Sequence, residues 1–253
     1  MKKFVFSIIL AMILSCLAYA YASDNIPNDF LAVEPDDDIS NEMQSAETLP
    51  TVSIFSDDGE LVNERTVTDQ KVMQISEDTV ILGITPMYQI DYTRTLFTYR
   101  GIEKSVASSG CGAVCISMVI DFYRYDIEQT PETIFLWLFN HKLYRGNGLS
   151  MPAMCETLAE FGIQFRKREL GKISTRKALE AGYPIIAFMG DGYFTDSGHY
   201  ILIYGIDDHN MVSVIDPNSQ EKSSVKYRLA SILQQANGSA PFYVCTGAKQ
   251  GAM

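Results

Sequence analysis

One cysteine in this chain stands where a reactive thiol is expected. A small polar segment, residues 107–110, leads into Cys111, and an apolar run with helical spacing begins directly after it. This pattern predicts that Cys111 lies in the first turn of a buried helix, where Gly110 and Gly112 leave its sulfur open. Unpaired amides and the positive end of a helix stabilise a thiolate, which is the nucleophilic form of cysteine. Such a cysteine requires a histidine as its base and a third group that orients the histidine.

Of the three histidines in the chain, His199 is the best placed to be that base. It follows a glycine-rich loop and opens a predicted buried strand over His199–Ile206, and catalytic groups are commonly displayed at the edge of such loops. His209 lies in a predicted turn, and His141 is expected to cap the end of an aromatic helix. The alternative for His199 is a core histidine bonded to a backbone carbonyl. The need of Cys111 for a base favours the catalytic interpretation.

The orienting acid follows from the pairing of two strands. If residues 199–206 and 211–216 pair across their turn, the residue opposite His199 lies near position 218. Asp216 is then a diagonal neighbour of His199 on the adjacent strand, within side-chain reach. A carboxylate there can hold the imidazole by its second nitrogen and stabilise the imidazolium. Taken alone, the sequence Asp-Pro-Asn would indicate only a turn.

The elements that must position these residues change type along the chain. Helices are predicted first, and antiparallel strands follow them. This order indicates an α+β fold with the helices packed on one side of the sheet. The predicted helices are residues 129–145, 150–161, 175–181 and 227–235, and the predicted strands are residues 165–170, 184–189, 199–206, 211–216 and 242–246.

The amino terminus has the pattern of an export signal. Two lysines precede an apolar run, residues 4–18, and small-x-small cleavage motifs follow it. These features predict a signal peptide over residues 1–22 and a secreted or extracytoplasmic protein, with a bacterial cell surface as one such location. Two anchored alternatives stay open: the run is retained as a membrane anchor, or Cys16 carries a lipid. Contact with a membrane is expected only through these segments.

The net charge of −11 belongs to a leader and not to a binding face. The acids are concentrated in residues 23–70, whereas the chain from residue 71 onward has a net charge of about −1. Residues 23–79 are therefore predicted to be an acidic linker or a propeptide-like segment, with a small hairpin around 51–62 as a further alternative. The catalytic domain is predicted over residues 80–248. A basic aromatic stripe is lacking, so nucleic acid is not an expected partner.

Four cysteines follow the predicted signal. Cys111 and Cys115 lie one turn apart on one helix with parallel side chains, so a disulfide between them is not expected. Cys155 and Cys245 are expected to lie in the core as small apolar residues. The sequence has no CxxC spacing and no cysteine–histidine cluster, so no metal site is predicted and the chemistry requires no cofactor.

Three motifs around the candidate residues resemble the C39-like family of papain-type cysteine peptidases. They are Ala-Ser-Ser-Gly-Cys111-Gly, Ser-Gly-His199-Tyr-Ile-Leu-Ile-Tyr-Gly and Val-Ile-Asp216-Pro-Asn, and the resemblance covers residues 87–246. It implies a papain-like α+β fold. It also implies a catalytic triad in which Cys111 is the nucleophile, His199 is the base and then the acid, and Asp216 orients His199.

One feature departs from the family's pattern. Family members related to bacteriocin-leader peptidases place an oxyanion-hole glutamine shortly before the cysteine, at the position that Ser105 occupies here. The resemblance implies that Gln89 takes this role across a longer insertion, together with the backbone amide of Cys111. The alternative is that Gln89 is an ordinary exposed polar residue.

The function expected from these residues is hydrolysis of a peptide bond in a peptide or protein substrate, through an acyl-enzyme, outside the cytoplasm. The intracellular leader-peptidase role of the family is not carried over, because this chain has an export signal and no transporter segment. One alternative is an amidase or acyl transferase that uses the same triad on cell-wall or other amides. Another is a catalytically silent binding module on the same fold, which the lack of glutamine at position 105 would favour.

Overall fold

The computed structural model describes residues 79–124 and 129–249, together with the backbone of three strands before residue 79. The predicted signal peptide, both anchor alternatives and most of the acidic segment lie outside the described residues, and the predicted domain boundaries stay predictions. Among the helices of the described part, none combines the length and the apolar character that crossing a bilayer requires.

The strands of the described residues form one large antiparallel sheet and two separate hairpins. The pair β1–β2 is one of these hairpins, at the place where the sequence offered an accessory hairpin, and its turn lies outside the described residues. The strands are β1 (Thr51–Phe55), β2 (Leu61–Thr66), β3 (Val72–Ser76), β4 (Thr79–Leu82), β5 (Phe97–Tyr99), β6 (Ile102–Lys104), β7 (Ile163–Arg168), β8 (Ile185–Met189), β9 (His199–Ile206), β10 (Met211–Ile215), β11 (Lys226–Arg228) and β12 (Phe242–Ala248).

Strand β9 lies inside the large sheet, and its bounds are those predicted from its apolar run. The sheet has the order β11-β10-β9-β8-β12-β7, and β4 pairs with the far end of β9 and with β3. In the β9–β10 register Ile215 lies opposite Leu202, so continuing it places residue 218 opposite His199, as expected. The sheet therefore brings the end of β10 beside the start of β9.

Helices pack against this sheet, so the predicted α+β class is confirmed. A 3₁₀ helix, Gln89–Asp91, precedes the first α-helix. The α-helices are α1 (Val106–Ser109), α2 (Cys111–Tyr123), α3 (Pro131–Asn140), α4 (Met151–Glu160), α5 (Lys172–Glu180), α6 (Gln220–Ser223) and α7 (Leu229–Gln235).

Helix α2 is the central element of the core. It packs against β9, β12 and α3, and nearly all of its residues are buried, including Val114, Cys115 and Met118. A helix that is apolar on every face is stable only when it is surrounded in this way. This burial fixes the position of its first residue, Cys111, relative to β9.

Two predicted helices are longer in the sequence analysis than in the structure. Helix α3 begins after its Thr130 cap as expected but ends at Asn140, because His141 caps it and a tight loop follows. The last predicted helix begins only at Leu229, since residues 226–228 pair with β10 as strand β11. The hairpin β5–β6, helix α1 and the 3₁₀ helix were not predicted.

Candidate active site

Cys111 begins helix α2, as the sequence predicts. Its side chain is half-buried and lines two adjacent cavities, so the thiol faces an open cleft. The neighbouring glycines serve close packing. A Cβ on Gly110 would lie 2.7 Å from the carbonyl oxygen of Val106, and a Cβ on Gly112 would lie 2.9 Å from the Leu149 side chain. The access to the sulfur thus comes from the cleft and not from the missing side chains.

The surroundings of Cys111 favour its thiolate. Burial alone raises the pKa of this thiol, but the hydrogen bond and charge of His199, with the backbone N–H groups of Tyr200 and Gly112, bring the pKa below its ordinary value. The N–H of Gly112 belongs to the first turn of α2, where an anion is stabilised by unpaired amides. A lowered pKa is what makes a cysteine nucleophilic near neutral pH.

His199, the first residue of β9, lies between the thiol and a carboxylate. Its Nε2 is 2.6 Å from Oδ1 of Asp216, which leaves Nδ1 for the hydrogen bond with Cys111. Burial lowers the pKa of His199, but the hydrogen bonds and charges of Asp216 and Cys111 raise it to about 9. A lowered thiol pKa beside a raised imidazole pKa describes a thiolate–imidazolium pair, whose two titrations are coupled.

Asp216 follows directly after β10 and is fully buried. Its Oδ1 accepts a second hydrogen bond, at 2.8 Å, from the backbone N–H of Asn218, and its own N–H donates to Ser223 Oγ at 2.9 Å. Its Oδ2 has no hydrogen-bond partner among the described residues. The carboxylate is therefore held by its own loop and directed at His199, which fits the role of an orienting group.

Gln89 lies in the same cavity as Cys111 and His199, and its side chain is buried. The alternative of an ordinary exposed residue is therefore wrong. Its Nε2 donates to the carbonyl oxygen of Ala107 at 3.2 Å and to Oδ1 of Asn218 at 3.3 Å. The structure thus places a side-chain amide in the wall of the cavity that the thiol lines.

Asn218 links the glutamine to the carboxylate, and it was not predicted from the sequence as a site residue. Its backbone contacts Asp216, and its side chain accepts from Gln89. The preceding carbonyl, that of Pro217, accepts the backbone N–H of Gln89 at 2.7 Å. The only signal in the sequence was its place in Asp-Pro-Asn, where a turn explains an asparagine equally well.

The insertion between Gln89 and Cys111 forms regular secondary structure. It contains the hairpin β5–β6 and then helix α1. Ser105 precedes α1, where its N–H donates to Ser108 Oγ at 3.2 Å and its carbonyl oxygen accepts from the same hydroxyl. Ser105 therefore starts a helix and does not line the cavity, whereas Gln89 does.

A tight loop from Tyr144 to Leu149 forms part of the cleft wall, and it too was missed. The Tyr144 hydroxyl donates to the Gly146 carbonyl oxygen at 2.7 Å and lies 2.8 Å from Ser109 Oγ. Gly146 and Gly148 have φ values of 102° and 116°, which side chains rarely allow. The loop is thereby tied to the segment that leads into Cys111.

The α+β scaffold thus brings a thiol, an imidazole, a carboxylate and a side-chain amide together at one cleft. The Peptidase_C39 like family model matches residues 81–239, which is more than half of the chain. The protein belongs to this family, and its fold is the papain-like α+β fold that the sequence motifs imply. Membership in this family indicates a peptidase-type hydrolase, but it does not assign roles to individual residues.

The solved structures that resemble the chain include the peptidase domain of Streptococcus ComA, a bi-functional ABC transporter involved in a quorum-sensing pathway. The two are 15% identical, the match covers 55% of this chain and 92% of that chain, and the TM-score is 0.40. A search of curated proteins gave no match.

Proposed function

We propose that the protein is a secreted cysteine peptidase that hydrolyses a peptide bond through Cys111, His199 and Asp216. The observation that carries this proposal is the continuous contact from a helix-terminal thiol through the imidazole to a buried carboxylate. Family membership supports the same class of reaction. Secretion is supported by the sequence of residues 1–22 alone.

In the first step the thiolate of Cys111 attacks the carbonyl carbon of the substrate. A C–S bond forms, and the π electrons of the carbonyl move to its oxygen. The backbone N–H of Cys111 lies outside the ladder of its own helix, so it can donate to this oxyanion. Gln89 Nε2 is the proposed second donor.

In the second step the tetrahedral intermediate collapses. The C–N bond breaks, and His199 gives its proton to the leaving amine, which leaves a thioester acyl-enzyme. His199, now neutral, then takes a proton from water as the water attacks the thioester, and the carboxylic acid product departs with the thiolate restored. Asp216 keeps the imidazole in place and stabilises its charged form.

In the free enzyme the side-chain amide of Gln89 already donates hydrogen bonds to two other acceptors, Ala107 and Asn218. Both of its hydrogen bonds, at 3.2 and 3.3 Å, are at the long end of the range for N–H···O contacts. An oxyanion is a charged acceptor and makes shorter and stronger bonds. Formation of the intermediate is therefore expected to draw one of these hydrogens away from its ground-state partner, so the gain is specific to the transition state.

Alkylation with iodoacetamide at neutral pH tests the thiol chemistry. Cys155 is an internal control: the sequence predicted it in the core, but it is only half-buried, and burial raises its pKa. Peptide mass spectrometry should find Cys111 modified faster than Cys155, and His199→Ala should remove that advantage. Equal rates in the wild-type protein would contradict the proposal.

Release of free amine separates the candidate reactions. The peptidase proposal expects release from a peptide library and none from cell-wall fragments, whereas an amidase would give the reverse. The presence of Gln89 in the cavity weakens the silent-module alternative, whose main support was the serine at position 105. A rapidly alkylated Cys111 without release from any amide would restore that alternative.

A further inference from the structure

The thiol of Cys111 lies where two cavities meet. One cavity, of about 280 Å³, is also lined by Gln89 and His199, and the other, of about 430 Å³, extends past Leu149. Both are lined by Cys111, Asn147 and Gly198. If the site is the peptidase proposed above, the scissile bond of the substrate lies at the sulfur. The part of the peptide before this bond would then lie in one cavity, and the part after it would lie in the other. The substrate preference of this site therefore rests on the proposed function.

Each cavity has one positively charged residue in its wall. Lys104 lines the cavity that contains His199, and Arg145 lines the other. The other lining residues are neutral, apart from His199 itself, and none of them is an acid. Each of the two cavities thus has a positively charged wall residue, although the chain from residue 71 onward is close to neutral.

These two charges lack acidic partners in the part of the chain that the structure describes. Elsewhere in that part some basic side chains form ion pairs, such as Arg94 with Glu132 at 3.0 Å and Lys226 with Asp207 at 2.9 Å. For Lys104 and Arg145 no such pair exists among the described residues. Two cations that face one cleft without partners form a surface complementary to an anion.

The direction of the peptide follows from the chemistry. His199 must donate its proton to the leaving amine, so the carboxyl-terminal half of the substrate lies on the His199 side, with Lys104. The amino-terminal half, which stays on the sulfur as the acyl group, then lies on the side of Arg145. Each cation can therefore contact side chains on only one side of the scissile bond.

We propose that the cleft selects acidic peptides, with Lys104 recognising an Asp or Glu after the scissile bond and Arg145 recognising one before it. Such a peptide has two sources: a second molecule, or the acidic residues 23–70 of this chain. The chemistry recognised is the same in both cases. The net charge of the chain, which the sequence alone attributes to a leader, would then match the preference of the site.

Binding to the full-length Cys111→Ala variant tests the charge preference without turnover. Fluorescent peptides of one length carry Glu, Gln or Lys at one position on each side of a fixed central pair. We expect the peptide with Glu on both sides to bind most tightly, with a gain of about threefold to fivefold in Kd for each charge at low salt, as for a partly exposed ion pair. The gain should shrink as the salt concentration rises.

Variants assign each preference to one residue. In the Cys111→Ala background, Lys104→Gln should abolish the preference for Glu after the central pair only, and Arg145→Gln the preference before it only. Lys104→Glu should reverse the preference, so that Lys after the central pair binds better than Glu. Lys142→Gln is the matched control, because Lys142 is exposed near the same loop but lines neither cavity.

The outcomes separate this inference from the proposed function. If the wild-type protein cleaves peptides while the Cys111→Ala variant binds Glu and Gln peptides equally, the charge preference is wrong and the peptidase stands. If the variant prefers acidic peptides while the wild-type protein cleaves none, the preference stands and the peptidase is wrong. Equal effects of Lys142→Gln and Lys104→Gln would also overturn the inference.

Mass spectrometry of the incubated wild-type chain distinguishes the two sources. Cleavage within residues 23–70 at a rate independent of protein concentration supports the chain's own segment as the acidic peptide. Cleavage of added acidic peptides with that segment left intact supports a second molecule. Cleavage confined to neutral or basic sequences would contradict the inference for both sources.

Discussion

Cys111 and Cys115 lie one turn apart on helix α2, yet their surroundings have opposite effects on the two thiols. The pKa of Cys111 is lowered, whereas burial raises the pKa of Cys115 well above its ordinary value. Burial raises the pKa of both thiols, so burial alone does not explain the difference. Cys111 has the helix terminus, His199 and a cleft, whereas Cys115 has burial and the repulsion of Cys111, Asp216 and Cys245, which all disfavour its thiolate.

One helix can therefore supply both a structural and a reactive cysteine. The backbone N–H groups of the first turn have no acceptor within the helix, whereas those of the next turn are bonded to carbonyl oxygens of the helix itself. A thiolate is therefore stabilised only at the end. Single substitutions can remove either thiol, or one of the groups around Cys111, and so test each contribution separately.

The largest effect is expected from exchanging the two cysteines for alanine. Cys111→Ala should lower kcat/KM by on the order of 10⁴-fold or more, as removal of a nucleophile does in other enzymes. Cys115→Ala should leave kcat/KM close to wild type and lower the free energy of unfolding by about 1 kcal/mol, through a small cavity. Steady-state kinetics and urea denaturation measure both. Loss of activity in Cys115→Ala but not in Cys111→Ala would contradict the assignment of Cys111 as the reactive cysteine and Cys115 as the structural one.

Asp216→Asn should give the next largest loss, on the order of 10²- to 10⁴-fold in kcat. The carboxylate helps to raise the pKa of His199 to about 9, so removing its charge should lower that pKa. The imidazolium is then lost at a lower pH, and the alkaline limb of the pH–rate profile should move down from about 9. Asp208→Asn, in the exposed turn after β9, is the control and should leave the limb in place.

Gln89→Ala should lower kcat by about 10²- to 10³-fold, the usual effect of losing an oxyanion donor. The alkylation rate of Cys111 should stay near wild type, because reaction with iodoacetamide forms no oxyanion. A parallel fall of both rates would instead mean that Gln89 supports the thiolate or the fold. The ratio of the two rates is therefore the informative quantity.

Asn218→Ala should have the smallest effect, a fall of about fivefold to tenfold in kcat, because Gln89 then loses one of the two contacts that hold its amide in position. The contact of its backbone with Asp216 is retained in the alanine variant. In a double-mutant cycle with Gln89→Ala the second loss should largely disappear, since the two residues act as a unit. Additive losses would show that Asn218 acts elsewhere.

The sequence contains enough to place the parts that depend on local pattern. The start of α2 at Cys111 and the bounds of β9 follow from apolar runs that end abruptly at polar or glycine residues. The closeness of His199 and Asp216 follows from counting residues across one turn. These features depend on residues that are close together in the chain, so they can be predicted from a single sequence.

Contacts between distant segments are not contained in such patterns. Gln89 lines the same cavity as Cys111 because the hairpin β5–β6 and helix α1 fill the chain between them and because the Pro217 carbonyl oxygen accepts from the Gln89 backbone N–H. Strand β5 has three residues and was too short to recognise by its alternation. The bonds of Tyr144 likewise join groups whose partners only the fold defines.

The pH dependence of alkylation at Cys111, in the wild-type protein and in His199→Ala, tests the central claim most directly. Below the pKa of the thiol the rate should be low, and above it the rate should reach a plateau. We predict a wild-type midpoint below the ordinary cysteine pKa and a higher midpoint in the variant, because burial then acts without the opposing imidazolium. The same midpoint in both proteins would contradict a thiolate–imidazolium pair.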